Sequence, residues 1–312
     1  MSKRLSSVWL VLVGVLLVCC LPAHAEPFES PIREGTRVFH LETQQEKAIA
    51  TTLDTLAKAD VVYLGETHDN PLDHQAQTEI IRAIYQKRPN LVIAMEMFQR
   101  PFQPVVDRYL AETISEQDLL QQSEYAKRWG FDWEFYAPIV RFAQEKKLAI
   151  AAINTPTEIT RKVARTGLDS LTAAEKQWIP PKSDIFLGPP AYQQRIRHIY
   201  DTMHQGKGSS ANFDRFFLAQ VLWDETMADG IVNARNAHPT ALIIVLAGQG
   251  HIAYGDGIPS RVARRMRTQQ KSLRQLSVML NPSEEDKKGD RAISDYFWYS
   301  PSASEDSVQT LN

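Results

Sequence analysis

Glu66, His68, Glu96 and His251 are the side chains here best suited to moving protons or holding a ligand, and each closely follows an apolar run. Gly65-Glu66-Thr67-His68-Asp69-Asn70 comes after Val61-Val62-Tyr63-Leu64, and Glu96-Met97-Phe98 after Leu91-Val92-Ile93-Ala94-Met95. Gly248-Gln249-Gly250-His251 comes after Ala241-Leu242-Ile243-Ile244-Val245-Leu246-Ala247. Oxygen and imidazole donors at Glu66, His68, Asp69, Asp73 and His74 are dense enough to hold zinc, manganese or iron. A carboxylate pair could equally do general acid–base work. Local structure competes for some of these residues. Asp69 and Asn70 before Pro71 suit a helix cap, Asp73 suits the first turn, and His74 reads as a surface residue of that turn. Glu96 closes an apolar run and must find a positive or hydrogen-bonding partner, of which Arg100 is the simplest. The glycines before His251 permit close backbone approach, and Tyr254 and the turn Gly255-Asp256-Gly257-Ile258-Pro259 follow it.

The elements that must position these residues follow from the apolar pattern. Short β-branched runs predict strands at 60–65, 91–96, 148–153, 240–247 and 274–280. Amphipathic stretches predict helices at 72–87, across 101–122 and at 134–146. The alternation is that of an α/β protein with a mostly parallel sheet flanked by helices. Its carboxyl edge, where open α/β sheets bind ligands, would then carry Glu66, His68, Glu96 and His251. From about 157 to 238 no comparable strand appears. Helical patterns at 157–166, 172–178, 190–205 and 211–237, broken by Pro180-Pro181, Gly188-Pro189-Pro190 and Gly206-Lys207-Gly208, predict a helical insertion. Tyr296-Phe297-Trp298-Tyr299 is too aromatic for a free tail and should dock on the body, leaving 301–312 disordered.

Lys3 and Arg4 precede an apolar stretch from Val8 to Leu21, and Ala23-His24-Ala25 supplies small residues for cleavage. Residues 1–25 therefore read as a signal peptide, and 26–300 as one α/β domain exported to the periplasm or cell envelope. The chain has 2 cysteines, Cys19 and Cys20, both in this leader. A lipid anchor on one of them is an alternative, though neither context has the usual small residue before the cysteine. The mature chain then has no disulfide, thiolate ligand or cysteine nucleophile. A net charge of −2 gives no nucleic-acid footprint. The run Arg261 to Arg267 reads as a solvated helix face. No Ser-centred nucleophile elbow or phosphate loop is present.

The three strand-end clusters, together with Trp133-Glu134-Phe135-Tyr136-Ala137-Pro138 and Gly257-Ile258-Pro259, resemble ChaN-type haem-binding uptake proteins of the Tiki-like superfamily. The resemblance implies an α/β envelope protein, often a lipoprotein, linked to haem or iron acquisition and to an outer-membrane uptake system. It further implies a homodimer around two cofacial haems, with tyrosine as iron ligand and histidine nearby. Haem needs an apolar face and an axial donor, and tyrosinate suits ferric iron. Tyr254, beside His251, is the first candidate ligand and Tyr136 the second, with His251, His68, Glu66 and Glu96 around the cofactor. The superfamily also contains hydrolases that use glutamate and histidine at such strand ends. The alternative is thus a metal-dependent peptidase or esterase, with zinc or manganese on Glu66, His68, Glu96 and His251 and Glu66 or Glu96 as catalytic base.

Overall fold

The five apolar runs become strands of one eight-stranded sheet, because a strand buried on both faces needs apolar side chains at every position. The strands of the sheet are β1 (Arg37–His40), β2 (Gln45–Lys47), β3 (Val61–Glu66), β4 (Leu91–Gln99), β5 (Ala149–Asn154), β6 (Leu242–Gly248), β7 (Gln275–Leu280) and β8 (Tyr296–Tyr299). The computed structural model describes residues 32–204, 212–284, 286–287 and 291–301. The expected signal peptide at 1–25, and 302–312 of the expected tail, lie outside these residues.

The sheet order is β2-β1-β8-β7-β3-β6-β4-β5. Pairing is parallel from β8 through to β5, with β1 antiparallel to β8 and to β2. Alternate strand residues enter opposite cores. Val62, Leu64, Ile93, Met95, Ile244 and Leu246 pack with Ile80, Ile81 and Ile84 on one face. Val61, Tyr63, Val92, Ala94, Ile243 and Val245 pack into the other.

The helices are α1 (Ile49–Ala57), α2 (Pro71–Lys87), α3 (Gln103–Leu110), α4 (Glu116–Gln122), α5 (Tyr125–Arg128), α6 (Ala137–Glu145), α7 (Thr157–Thr166), α8 (Ala173–Lys176), α9 (Pro190–Ile199), α10 (Phe213–Ala237), α11 (Gln249–Ile252) and α12 (Ile258–Thr268). Between β5 and β6 the described residues are helical and irregular, with no strand, and α10 packs on α7, α12 and β5. Tyr296-Phe297-Trp298-Tyr299 joins the sheet itself as β8.

β6 lies between β3 and β4, and β3 lies between β6 and β7. The chain therefore leaves β3 in one direction and β6 in the other, which opens a crevice beyond their carboxyl ends. Register fixes what faces it. Glu66 pairs with Gly248, and Met95, the residue before Glu96, pairs with Leu246. The β4–β5 register shifts between Met95 and Gln99, an irregularity of the kind that re-aims side chains beside functional sites.

Candidate functional site

Glu66 ends β3 with its carboxylate fully enclosed. Three neighbours answer it: Tyr136 donates to Oε1 at 2.7 Å, Gln77 Nε2 donates to Oε2 at 2.6 Å, and His68 Nδ1 lies 2.8 Å from Oε1. The loop that carries His68 is pinned from below. Asp73 accepts the Thr67 N–H at 2.7 Å and an Asn70 amide hydrogen at 2.9 Å, while Asn70 caps α2 by accepting the Leu72 N–H. Burial pushes Asp73 up to about 7, opposed by the donors from Thr67 and Asn281. Asp69 is exposed. His74, expected at the surface, is 2% exposed. It stacks on Phe135 at 4.6 Å, and its Nε2 meets the His68 carbonyl at 3.1 Å. Position 74 lies on the inner face of α2, so the residue supports the loop.

Glu96 lies across Gly248 from Glu66. Its Oε2 accepts the Gly248 N–H at 2.8 Å, and its Oε1 faces His251 Nε2 at 3.6 Å. Arg100 is not its partner, because that guanidinium pairs with Asp229 on α10. Gly248 has no room for a side chain, since a Cβ there would come within 2.8 Å of the His68 ring.

His251, on α11, has Nδ1 2.5 Å from Asp224 Oδ1, and Asp224 Oδ2 accepts the Tyr192 hydroxyl at 2.7 Å. Asp224 and Tyr192, from α10 and α9, were not legible as site residues in the strand-end motifs. One signal existed: Asp224 falls in line with Phe217, Val221, Ala228 and Ile231 on the buried stripe of α10. The basic run also departs from expectation. Arg261 and Arg265 are buried, and with Arg264 they pair with Glu225 of α10, because that enclosed carboxylate needs cations.

Two histidines thus commit Nδ1 to a carboxylate, and His251 turns Nε2 to the second carboxylate, Glu96. Burial alone would lower their proton affinity. The hydrogen bond from His68 to Glu66 and the charge of Glu96 lift His68 above its usual value, and the charges of Glu96 and Asp224 do the same for His251. Asp224 is driven up by burial but held below the usual carboxylate range by His251 and Arg261. Trp129 and Phe131 pack on His68 at 4.8 and 5.0 Å, forming an aromatic wall.

The two candidate tyrosines are placed very differently. Tyr136 is fully buried, and desolvation together with Glu66 makes its hydroxyl a far weaker acid than usual, which suits a donor to Glu66 and not a tyrosinate. Tyr254 is half-buried, and its ring packs on a cluster of Leu41, Ala253, Met279, Ile293 and Phe297. Its backbone is left-handed, at φ 60° and ψ 6°. Its hydroxyl has no hydrogen-bond partner among the described residues. A non-glycine residue held so costs about 1–2 kcal/mol. The Tyr254 N–H donates to Ile293 O at 2.7 Å and Arg291 donates to the Tyr254 carbonyl, which fixes the conformation. Gly257 makes the turn feasible: a Cβ there would sit 2.1 Å from the His251 carbonyl oxygen.

Among the described residues no group of three or more histidine, aspartate or glutamate side chains is disposed to hold a metal ion. Glu66 spends its oxygens on Tyr136, Gln77 and His68, and Glu96 spends one on a backbone amide, so the expected zinc or manganese alternative lacks its donor set.

Buried carboxylate–imidazole pairs gathered at the switch point of a mostly parallel sheet define the class, an α/β protein with its polar cluster where such folds place ligands. The family model described as haem-binding uptake, Tiki superfamily, ChaN matches residues 52–262, and the chain belongs to that family. A structure of ChaN from Campylobacter jejuni, described by its cofacial haem binding, superposes with a TM-score of 0.66 at 21% identity, covering 86% of this chain and 97% of that one. That likeness establishes the shared fold. The chain is also 26% identical over 262 residues to the chloroplastic protein RETICULATA-RELATED 5 of Arabidopsis thaliana, covering 79% of this chain and 35% of that protein. It therefore spans about a third of that relative's length. An erythromycin esterase, EreC, superposes more loosely, with a TM-score of 0.45 at 13% identity over 78% of this chain and 76% of the other.

Proposed function

We propose that this protein carries haem at the mouth of the crevice, with the Tyr254 oxygen as iron donor and His251 close by, and that it serves haem or iron uptake as an exported envelope component. The observation that carries the reading is Tyr254 itself. A strained, doubly fixed tyrosine presents an uncommitted hydroxyl next to an apolar cluster, and such strain tends to persist where a site uses it. The donor set fits ferric haem: a hard oxygen for the iron, apolar side chains for the macrocycle and cationic side chains for its carboxylates. When bound, haem supplies an iron centre to be carried.

The chain's own residues do the rest. The Ile293 carbonyl and Arg291 hold the Tyr254 backbone, and Asp224 orients His251 so that Nε2 faces Glu96. Glu66 and Glu96 orient the His68 loop and the β6 terminus. Pairing of two copies over cofacial haems and delivery from an outer-membrane system belong to the same proposal. Titration of the protein with haemin tests it. A tyrosinate-ligated ferric spectrum is expected, and Tyr254→Phe, which keeps the ring and removes the donor, should abolish it with folding unchanged. An unaltered spectrum in Tyr254→Phe would refute the ligand, and no spectral change in the unmodified protein would refute haem binding here.

A further inference from the structure

Helices α5 and α7 border a cavity of about 630 Å³, and none of the strand-end residues lines it. Five of its lining side chains are cations, Lys127 and Arg128 from α5 and Arg161, Lys162 and Arg165 from α7. Thr157, Thr166 and Glu158 complete the wall, so no apolar side chain contributes to it. Ligand pockets are usually lined by apolar and aromatic groups, and a wall of this kind suits a small hydrophilic anion instead.

The fold neutralises part of this charge. Arg128 donates from Nε to Glu124 at 2.7 Å, and from Nη1 to Gln99 at 2.7 Å and Glu158 at 3.0 Å. These contacts fix its guanidinium and leave Nη2 uncommitted among the described residues and not enclosed. Lys162 pairs with Glu175 at 2.8 Å, and Lys127 stands 3.9 Å from Glu124. Arg161 and Arg165 are exposed and have no carboxylate partner among the described residues. They sit four positions apart on one face of α7, where like charges repel, and Glu158, three positions before Arg161, is drawn away to Arg128. Two unanswered cations match the charge of a phosphate monoester, about −1.5 to −2 near neutral pH, whose oxygens also accept the paired donors of a guanidinium. Thr157 accepts from Gln99 at 2.6 Å and keeps its own proton to donate.

We propose that this cavity binds the phosphate monoester of a small polyhydroxylated compound, a sugar phosphate in class. Arg161, Arg165 and Arg128 Nη2 take the phosphate, and Thr157 and Glu158 serve the hydroxyls. A phosphate group fills only part of the cavity, which leaves room for the polar body. A phospholipid headgroup offers the same phosphate, but the wall presents no apolar side chain to enter a bilayer. The site is independent of the haem reading, and its test requires no haem.

Calorimetry of the full chain compares glucose 6-phosphate with glucose and with glucose 6-sulfate, an ester of the same shape with one charge fewer. The phosphate ester should bind about tenfold tighter than the sulfate ester or better, and glucose should not bind. The combined Arg161→Gln and Arg165→Gln variant should lose about tenfold or more in affinity with its thermal midpoint retained, because neither side chain has a carboxylate partner in the fold. Lys58→Gln with Arg267→Gln removes the same charge from exposed positions elsewhere and should leave the affinity unchanged. Should the combined variant not fold, each single variant carries the test with a several-fold loss. No binding of glucose 6-phosphate, equal binding of the sulfate ester, or an equal loss in the Lys58 and Arg267 control would overturn the proposal, the last by showing only the field of the whole surface. Capture on vesicles of phosphatidic acid in phosphatidylcholine, lost in the combined variant and without binding of the soluble ester, would assign the phosphate to a lipid and overturn the soluble ligand.

Discussion

Replacing Tyr136 by phenylalanine separates support of the site from ligation of the iron. The change removes one hydroxyl and keeps the ring against Trp129 and His74. What is lost is the 2.7 Å donation to Glu66 Oε1, at a carboxylate only 1% exposed, whose other donors are Gln77 at 2.6 Å and His68 at 2.8 Å. Water cannot readily replace the lost donor at such a place. Deleting a hydrogen bond to a buried charge costs about 1.5–3 kcal/mol, and at roughly 2–4 °C per kcal/mol for a domain of about this size the midpoint falls by about 3–12 °C. Urea unfolding at neutral pH reads the free energy. Repeating it with Glu66→Gln gives the coupling, expected to exceed about 1 kcal/mol for directly bonded partners. The haem spectrum of Tyr136→Phe should match that of the unmodified protein. A loss below about 0.5 kcal/mol would show that Glu66 does not depend on Tyr136, and an abolished spectrum would make Tyr136 the iron donor.

Gly257→Ala places a methyl 2.1 Å from the His251 carbonyl oxygen and 3.0 Å from Asp224, so a destabilisation of about 3 kcal/mol or more is expected by urea unfolding; a change under 1 kcal/mol would mean the turn relaxes freely. pH dependence follows from His68 and His251, both raised above 6.5 in the fold: their contribution is complete below pH 6.5 and is lost as pH rises through the raised values. Stability should therefore decline above pH 6.5, at no more than about 1.4 kcal/mol per pH unit per proton. Glu96→Gln, which removes a charge that raises both groups, should weaken that decline and shift both imidazole titrations to lower pH by proton NMR. Unchanged titrations would show that Glu96 is electrostatically remote from the pair.

Strand ends were the readable part of the site because the signal is local: an apolar run stops, and the polar residue at its end must face the crevice. Glu66, His68, Glu96 and His251 all follow this logic, and the register of β3, β4 and β6 brings them to one edge. The short strands β1, β2 and β8 at one end of the sheet are not legible as strands, since three or four residues carry too little periodicity. The charged helices were misread for a different reason. Arg261 to Arg267 looks solvated until Glu225, some 40 residues earlier, is packed against it, and Arg100 chooses Asp229 across the fold over the nearby Glu96. Such pairings depend on how α10 docks, which no short window of sequence encodes.

The division of labour between sheet and insertion explains why the site is incomplete from either part alone. The sheet supplies acceptors: Glu66 and Glu96 are fixed by Tyr136, Gln77 and the Gly248 amide before any ligand arrives. The residues that set the charge of the cleft mouth come from α9 and α10. Asp224 holds His251 by Nδ1 and, with Glu96 facing Nε2, favours the imidazolium, while Arg195 opposes it. Tyr192 joins the two, with its hydroxyl on Asp224 and its ring under the guanidinium of Arg195. The charge of His251 is thus set from both sides of one imidazole, by Asp224 of the insertion at Nδ1 and by Glu96 of the sheet facing Nε2.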